Sequence, residues 1–170
     1  MKNETDFKKV FCTSVFAQKG YVLKLAMSSM SGLPDMYCVM PGFVPVLLEA
    51  KFMKIANGTF HRKIPYSKMQ QYVMEMCNKP YGGNHTVAFG LVGVQTTDVV
   101  YCLLMPPGVQ VVTNKDIDFQ PIIKGNTIDV LSLFEAKGVA NMQQLYRSNH
   151  EKVTSVAAQA MVQLNVQNST

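Results

Sequence analysis

The strongest pattern of apolar and polar positions is that of a strand pair. Residues Gly32–Met40 and Val44–Lys51 form two apolar, β-prone runs around the turn residues Pro41-Gly42-Phe43. This predicts a β-hairpin with a three-residue loop. If the turn is centred on Gly42, opposed positions sum to 84, so Met40 faces Val44 and Asp35 faces Glu49. Residues two apart on a strand share a face, so Lys51 lies beside Glu49. Asp35, Glu49 and Lys51 then converge on one spot. Pro45 predicts an edge or bulge at the start of the second arm. A bulge there would shift the register and turn Glu49 away from Asp35.

Other periodicities fill in the chain. Phe7, Val10, Phe11 and Val15 follow helical spacing, with Thr5 or Asp6 as cap and Gly20 as stop. Tyr21–Met27 alternates as a strand. Asn57-Gly58 signals a turn in the segment after Lys51. Ser67–Lys79 is the clearest helix: Met69, Tyr72, Val73, Met76 and Cys77 make one stripe. Thr86–Gly93 and Asp98–Met105 read as strands, and Pro106-Pro107-Gly108 as a break. A short-strand pattern at 109–112 precedes three helical stretches, Ile128–Ala136, Val139–Arg147 and Asn149 to about Gln163. The order α-β-β-β-α-β-β predicts an α/β fold with a mixed central sheet flanked by helices. Residues 1–106 form the core, and 107–170 an irregular and helical extension that packs on it or forms a dimer interface.

Composition narrows the function classes. The chain of 170 residues has a net charge of +5 and a sequence pI near 9.0. A basic surface favours polyanions such as nucleic acid. The cysteines, Cys12, Cys38, Cys77 and Cys102, are scattered in apolar runs without metal-binding spacing, which predicts buried reduced thiols. No apolar run reaches a membrane span and the start of the chain is polar, so a cytoplasmic protein, free of membranes, is expected.

Two opposed carboxylates repel across a strand pair. A divalent cation between them removes the conflict, and Mg²⁺ is habitually held by one or two carboxylates and water. Such an ion polarises a phosphoryl oxygen, and a lysine beside it can hold water or balance phosphate charge. The constellation points to metal-assisted phosphodiester hydrolysis.

Pro34-Asp35, then Glu49-Ala50-Lys51, resembles the PD-(D/E)xK nuclease motif. Gly32-Leu33-Pro34-Asp35 and the helix start Ser67-Lys68-Met69-Gln70 make the resemblance closer to VRR-NUC domains and phage-type Holliday-junction-resolvase-like endonucleases. It spans roughly residues 4–105. It implies a restriction-endonuclease-like core and a Mg²⁺- or Mn²⁺-dependent endodeoxyribonuclease. Asp35, Glu49 and the Ala50 carbonyl would ligate metal, Lys51 would orient water or stabilise the pentavalent phosphorus, and Gln70 would assist. Glu4 could join the metal site or be a solvated acid. The expected products are a 5′-phosphate and a 3′-hydroxyl. The implied substrate is branched DNA in recombination or repair, in a bacterium or phage-infected cell, and cutting two strands calls for a homodimer.

Several residues carry two readings. Lys24 faces the catalytic side or DNA, or is merely exposed. Lys54, His61, Arg62 and Lys63 follow a phosphate backbone or form a solvated loop, with His61 also a candidate ligand or base. Ser67 and Gln70 spell a capping box as well as a family motif. Glu135-Ala136-Lys137 repeats the tripeptide within a helical pattern and is chance. Two other functions remain open: a catalytically weak DNA-binding or scaffold protein, and a nuclease acting on single-stranded DNA or RNA.

Overall fold

The computed structural model describes residues 1–25, 32–55, 60–79, 87–96, 99–117 and 127–142. Helix α1 spans Glu4–Ala17. Its N-cap is Asn3, whose side chain accepts the Asp6 N–H at 2.9 Å, in place of the expected Thr5 or Asp6. Asn3 wins because a cap residue must keep extended dihedrals, and Thr5 and Asp6 are already helical. Phe7, Phe11 and Val15 form the buried stripe.

Five strands make the main sheet: β1 (Tyr21–Lys24), β2 (Met36–Val39), β3 (Val46–Lys54), β5 (Ala88–Gln95) and β6 (Val100–Met105), in the order β1-β2-β3-β5-β6. Strands β1, β2 and β3 pair antiparallel, β3 and β5 parallel, and β5 and β6 antiparallel. The parallel pair is reached through strand β4 (His61–Lys63) and helix α2 (Lys68–Asn78). The fold is thus α/β with a mixed central sheet flanked by helices. Strand β5 is buried along almost its whole length, which accounts for its run of apolar residues and glycine.

The β2–β3 register, Met36↔Leu48 and Cys38↔Val46, sums to 84, as a turn centred on Gly42 predicts. Pro45 introduces no shift, because it lies just ahead of the paired residues. Pairing stops at Cys38↔Val46, so Met40 does not pair with Val44. Instead Phe43 bridges Asn141, and the Val44 N–H donates to the Ala140 carbonyl at 2.9 Å. Residues 139–141 therefore do not open the predicted helix Val139–Arg147: the Val139 N–H donates to the Phe134 carbonyl at the end of α4, and Ala140 and Asn141 serve the hairpin tip. The helical stretch from Asn149 lies outside the described residues.

A second correction concerns residues 61–63, expected as loop. They pair antiparallel with β7 (Val111–Thr113) as a two-stranded ribbon. Two short helices complete the described chain, α3 (Asn114–Ile117) and α4 (Val130–Ala136).

Strand alternation sends side chains to two separate cores. Val46, Leu48, Ala50, Phe89, Leu91 and Leu104 face α1 and α4. Val92, Val94, Leu103 and Met105, from the other face, join Ile64 and Val112 beneath the ribbon. Glu49 and Lys51 alternate onto this second face, on which α2 also lies. Asn78, at the end of α2, clamps the start of β5: its Oδ1 accepts the Val87 and Ala88 N–H groups at 2.6 and 3.1 Å. Cys12, Cys38 and Cys102 are buried free thiols, and Cys77 is half-buried. Burial pushes the Cys38 thiol up to about 12, which leaves it protonated and unreactive.

Candidate active site

Asp35 immediately precedes β2, one residue beyond the last printed pair Met36↔Leu48, and the same register continued sets it opposite Glu49. Its Oδ2 accepts the Ala50 N–H at 2.9 Å, and its Oδ1 accepts Lys8 Nζ at 2.9 Å. The Glu49 side chain is only 1% exposed. Its Oε1 accepts Lys51 Nζ at 2.7 Å and also the Gln70 side-chain amide. Its Oε2 is buried with no hydrogen-bond partner. An ionised carboxylate oxygen left so is costly unless something else meets it.

The electrostatics agree with that placement. Burial pushes the Glu49 carboxyl above its ordinary 4.5; Lys51 pulls it back, and Asp35 pushes it further up. Burial lowers the affinity of Lys8 for its proton, but Asp35 and Glu4 outweigh it and the net shift is upward. The Tyr66 phenol is pushed up by burial and then by Glu49. Its hydroxyl, like Glu49 Oε2, is buried without a partner. It lies directly over Gly90, the residue opposite Glu49 on β5, where a Cβ would collide with it. Glycine is required at that position by the close approach of the phenol.

Ser67 and Gln70 form the capping box, and Gln70 also reaches Glu49. Ser67 caps α2 in a reciprocal box with Gln70: Gln70 Oε1 accepts the Ser67 N–H at 2.9 Å. The other end of the same amide holds Glu49. Capping therefore orients the glutamine that fixes the carboxylate.

The other named residues are dispersed. Glu4 reaches the site only through Lys8, whose Nζ is 3.0 Å from Glu4 Oε1. Lys24 pairs with Met36, whose side chain is buried on the α1 side, so Lys24 points away from the Glu49 face. Lys54 is exposed at the end of β3, one residue out of phase with Glu49 and Lys51. His61, Arg62 and Lys63 are exposed along β4, which leads through Pro65 to Tyr66.

Two residues escaped the sequence reading. Tyr66 carries no local signal, because an aromatic after a strand reads as packing. Lys8 has one: Glu4 and Lys8 are four apart on a helix, the spacing of an ion pair. Its ion pairs are partly exposed to solvent, so Lys8→Ala should cost no more than about 1 kcal/mol in urea denaturation. Because the Lys8 pKa is raised, that contribution is complete below 10.5 and is lost as pH climbs through the raised value.

Among the described residues no group of three or more His, Cys, Asp or Glu side chains stands together as a metal cage. The residues present fit a different kind of site. Two carboxylates, one of them with a buried oxygen that has no partner, suit a small, hard, largely hydrated cation such as Mg²⁺.

No protein family's sequence profile matches the chain, and no curated protein sequence does. Among solved structures, the chain is similar to Hjc, a Holliday junction resolvase of the archaeal hyperthermophile Archaeoglobus fulgidus. The TM-score is 0.44 and the identity 11%, over 68% of this chain and 93% of that one. The likeness is one of chain path, and the reading of the site rests on the side chains above. No helix among the described residues is long and apolar enough to cross a membrane.

Proposed function

We propose that the chain is a metal-dependent endodeoxyribonuclease that hydrolyses phosphodiester bonds in branched DNA, working as a homodimer. One observation supports the reading: Glu49 keeps a buried oxygen without a partner, with Lys51 alongside and the Asp35 charge close enough to act on it. Asp35, Glu49 and the Ala50 carbonyl are the groups that would hold Mg²⁺ or Mn²⁺. When bound, such an ion supplies Lewis-acid polarisation of a phosphoryl oxygen. Lys51, 13% exposed, brings its ammonium beside Glu49, from where it orients water or balances charge on the pentavalent phosphorus. Gln70 fixes the Glu49 rotamer, and the basic edge of β4 supplies phosphate contacts that set position rather than sequence.

A second reading has its own support. Lys8 already neutralises Asp35, which suits a protein that binds DNA on this fold and cuts it poorly. One experiment separates the two. The nuclease cleaves a four-way junction in Mg²⁺ or Mn²⁺ in preference to linear duplex, leaves a 5′-phosphate, and loses cleavage in Asp35→Ala and Lys51→Ala, both still folded by circular dichroism. Junction binding without cleavage in either metal favours the scaffold. Preference for single strands or RNA replaces the substrate assignment.

A further inference from the structure

Each acid of the site carries its own counter-charge. Lys8 Nζ lies 2.9 Å from Asp35 Oδ1, and Lys51 Nζ lies 2.7 Å from Glu49 Oε1. Two carboxylates and two ammonium groups cancel, which offsets the repulsion between opposed acids. The same cancellation leaves little net negative charge to attract a divalent cation.

The two acids differ in what they can offer. Glu49 keeps Oε2 without a partner. Asp35 has both oxygens engaged: Oδ2 accepts the Ala50 N–H at 2.9 Å, and Oδ1 accepts Lys8. Ala50 belongs to β3, which β2 and β5 hold on both sides, so its N–H cannot withdraw. The Lys8 ammonium stands at the end of a flexible four-carbon stem and can. Its root stays fixed, because Phe7 and Phe11 bury α1 against the sheet.

Lys8 also has a second partner in place. Its Nζ lies 3.0 Å from Glu4 Oε1, one helical turn back on α1. Glutamate four residues ahead of lysine is the favourable order for such a pair. Leaving Asp35 therefore keeps the ammonium paired, and both side chains of the remaining pair reach solvent.

We propose that Lys8 is a displaceable counter-ion of the site. Its ammonium neutralises Asp35 and, when a divalent cation is held, passes to Glu4 and frees Asp35 Oδ1. Glu4 acts through Lys8 and is not itself a ligand. The inference rests on the metal reading of Asp35 and Glu49 given above. It makes the apparent metal affinity weaker than the intrinsic one, by the fraction of chains in which Lys8 has released Asp35.

The test is calorimetric titration of Mn²⁺ into the full chain without DNA. Lys8→Met should tighten binding by about fivefold, the equivalent of one partly exposed ion pair. Lys9→Met removes the same charge from an exposed neighbouring position and should leave the affinity near native. Glu4→Gln takes away the second partner, so it should weaken binding about threefold in the native chain and have no effect in Lys8→Met. A second readout separates this from a purely structural role. In urea with a chelator Lys8→Met should be the less stable chain, yet its gain on adding Mn²⁺ should exceed the native chain's. Native Mn²⁺ binding that Lys8→Met leaves unchanged, or tightens no more than Lys9→Met does, overturns the proposal alone. A loss in Glu4→Gln that persists in Lys8→Met makes Glu4 a ligand and also overturns it. No binding by the native chain or by Lys8→Met overturns the metal reading and this proposal with it.

Discussion

If the proposed function holds, Glu49→Gln reduces metal-dependent cleavage by more than the ~10–100-fold that loss of an outer partner of a metal ligand costs, because on that proposal it removes a ligand itself. Glutamine keeps the oxygen that meets Lys51 and Gln70, so the site's geometry survives while its charge is lost. The same substitution has a stability signature with a definite sign. In the fold the Glu49 pKa lies above its ordinary 4.5, mainly through burial. Over the interval from 4.5 up to the raised value, the folded state holds a proton that the unfolded state has lost. Stability therefore falls as pH rises through that interval. Melting curves across acidic to neutral pH should show this fall in the native chain relative to Glu49→Gln, in which the group no longer titrates. Parallel curves for the two chains would remove Glu49 from its buried position. Metal binding requires the ionised carboxylate, so cleavage at fixed metal should rise with pH over the same range.

Gly90→Ala is expected to destabilise the fold by about 1–3 kcal/mol, the usual cost of overpacking a tight interior. The new Cβ would strike the Tyr66 hydroxyl, and strand β5 cannot retreat because β3 and β6 hold it on both sides. Tyr66→Phe alone removes a buried hydroxyl that has no partner and should be close to neutral. Combining the two removes the clash, so the double variant should recover most of the loss, with a coupling energy of about 1 kcal/mol or more in urea denaturation. Strict additivity would show that the phenol does not lie over Gly90. A large loss in Tyr66→Phe would show that its hydroxyl has a partner in solution.

The hairpin was legible because strand period and turn chemistry both point to Gly42, and the register follows from them without knowledge of the rest. Helix α2 was legible from its stripe and its capping box. Strand β4 was not, because His61-Arg62-Lys63 carries no apolar alternation and is held only by pairing with β7, some fifty residues away. The hairpin tip was misread for a related reason. Phe43 and Val44 look like the start of a strand that pairs with its neighbour, yet the Phe43 N–H closes the turn on the Met40 carbonyl and the Val44 N–H donates to the Ala140 carbonyl, in a bridge of Phe43 with Asn141. At the site, Asp35, Glu49 and Lys51 follow from local geometry. Lys8 comes from another element, and only the packing of α1 on the sheet brings it to Asp35. Tyr66 is set by a single glycine on β5, a relation no local pattern expresses.

The central claim is that Asp35 and Glu49 act together as the ligands of one divalent cation. Calorimetric titration of Mn²⁺ into the full chain, without DNA, tests it most directly. The account predicts saturable binding by the native chain and its loss in both Asp35→Asn and Glu49→Gln. Absence of binding by the native chain, or native affinity retained in either variant, would contradict it.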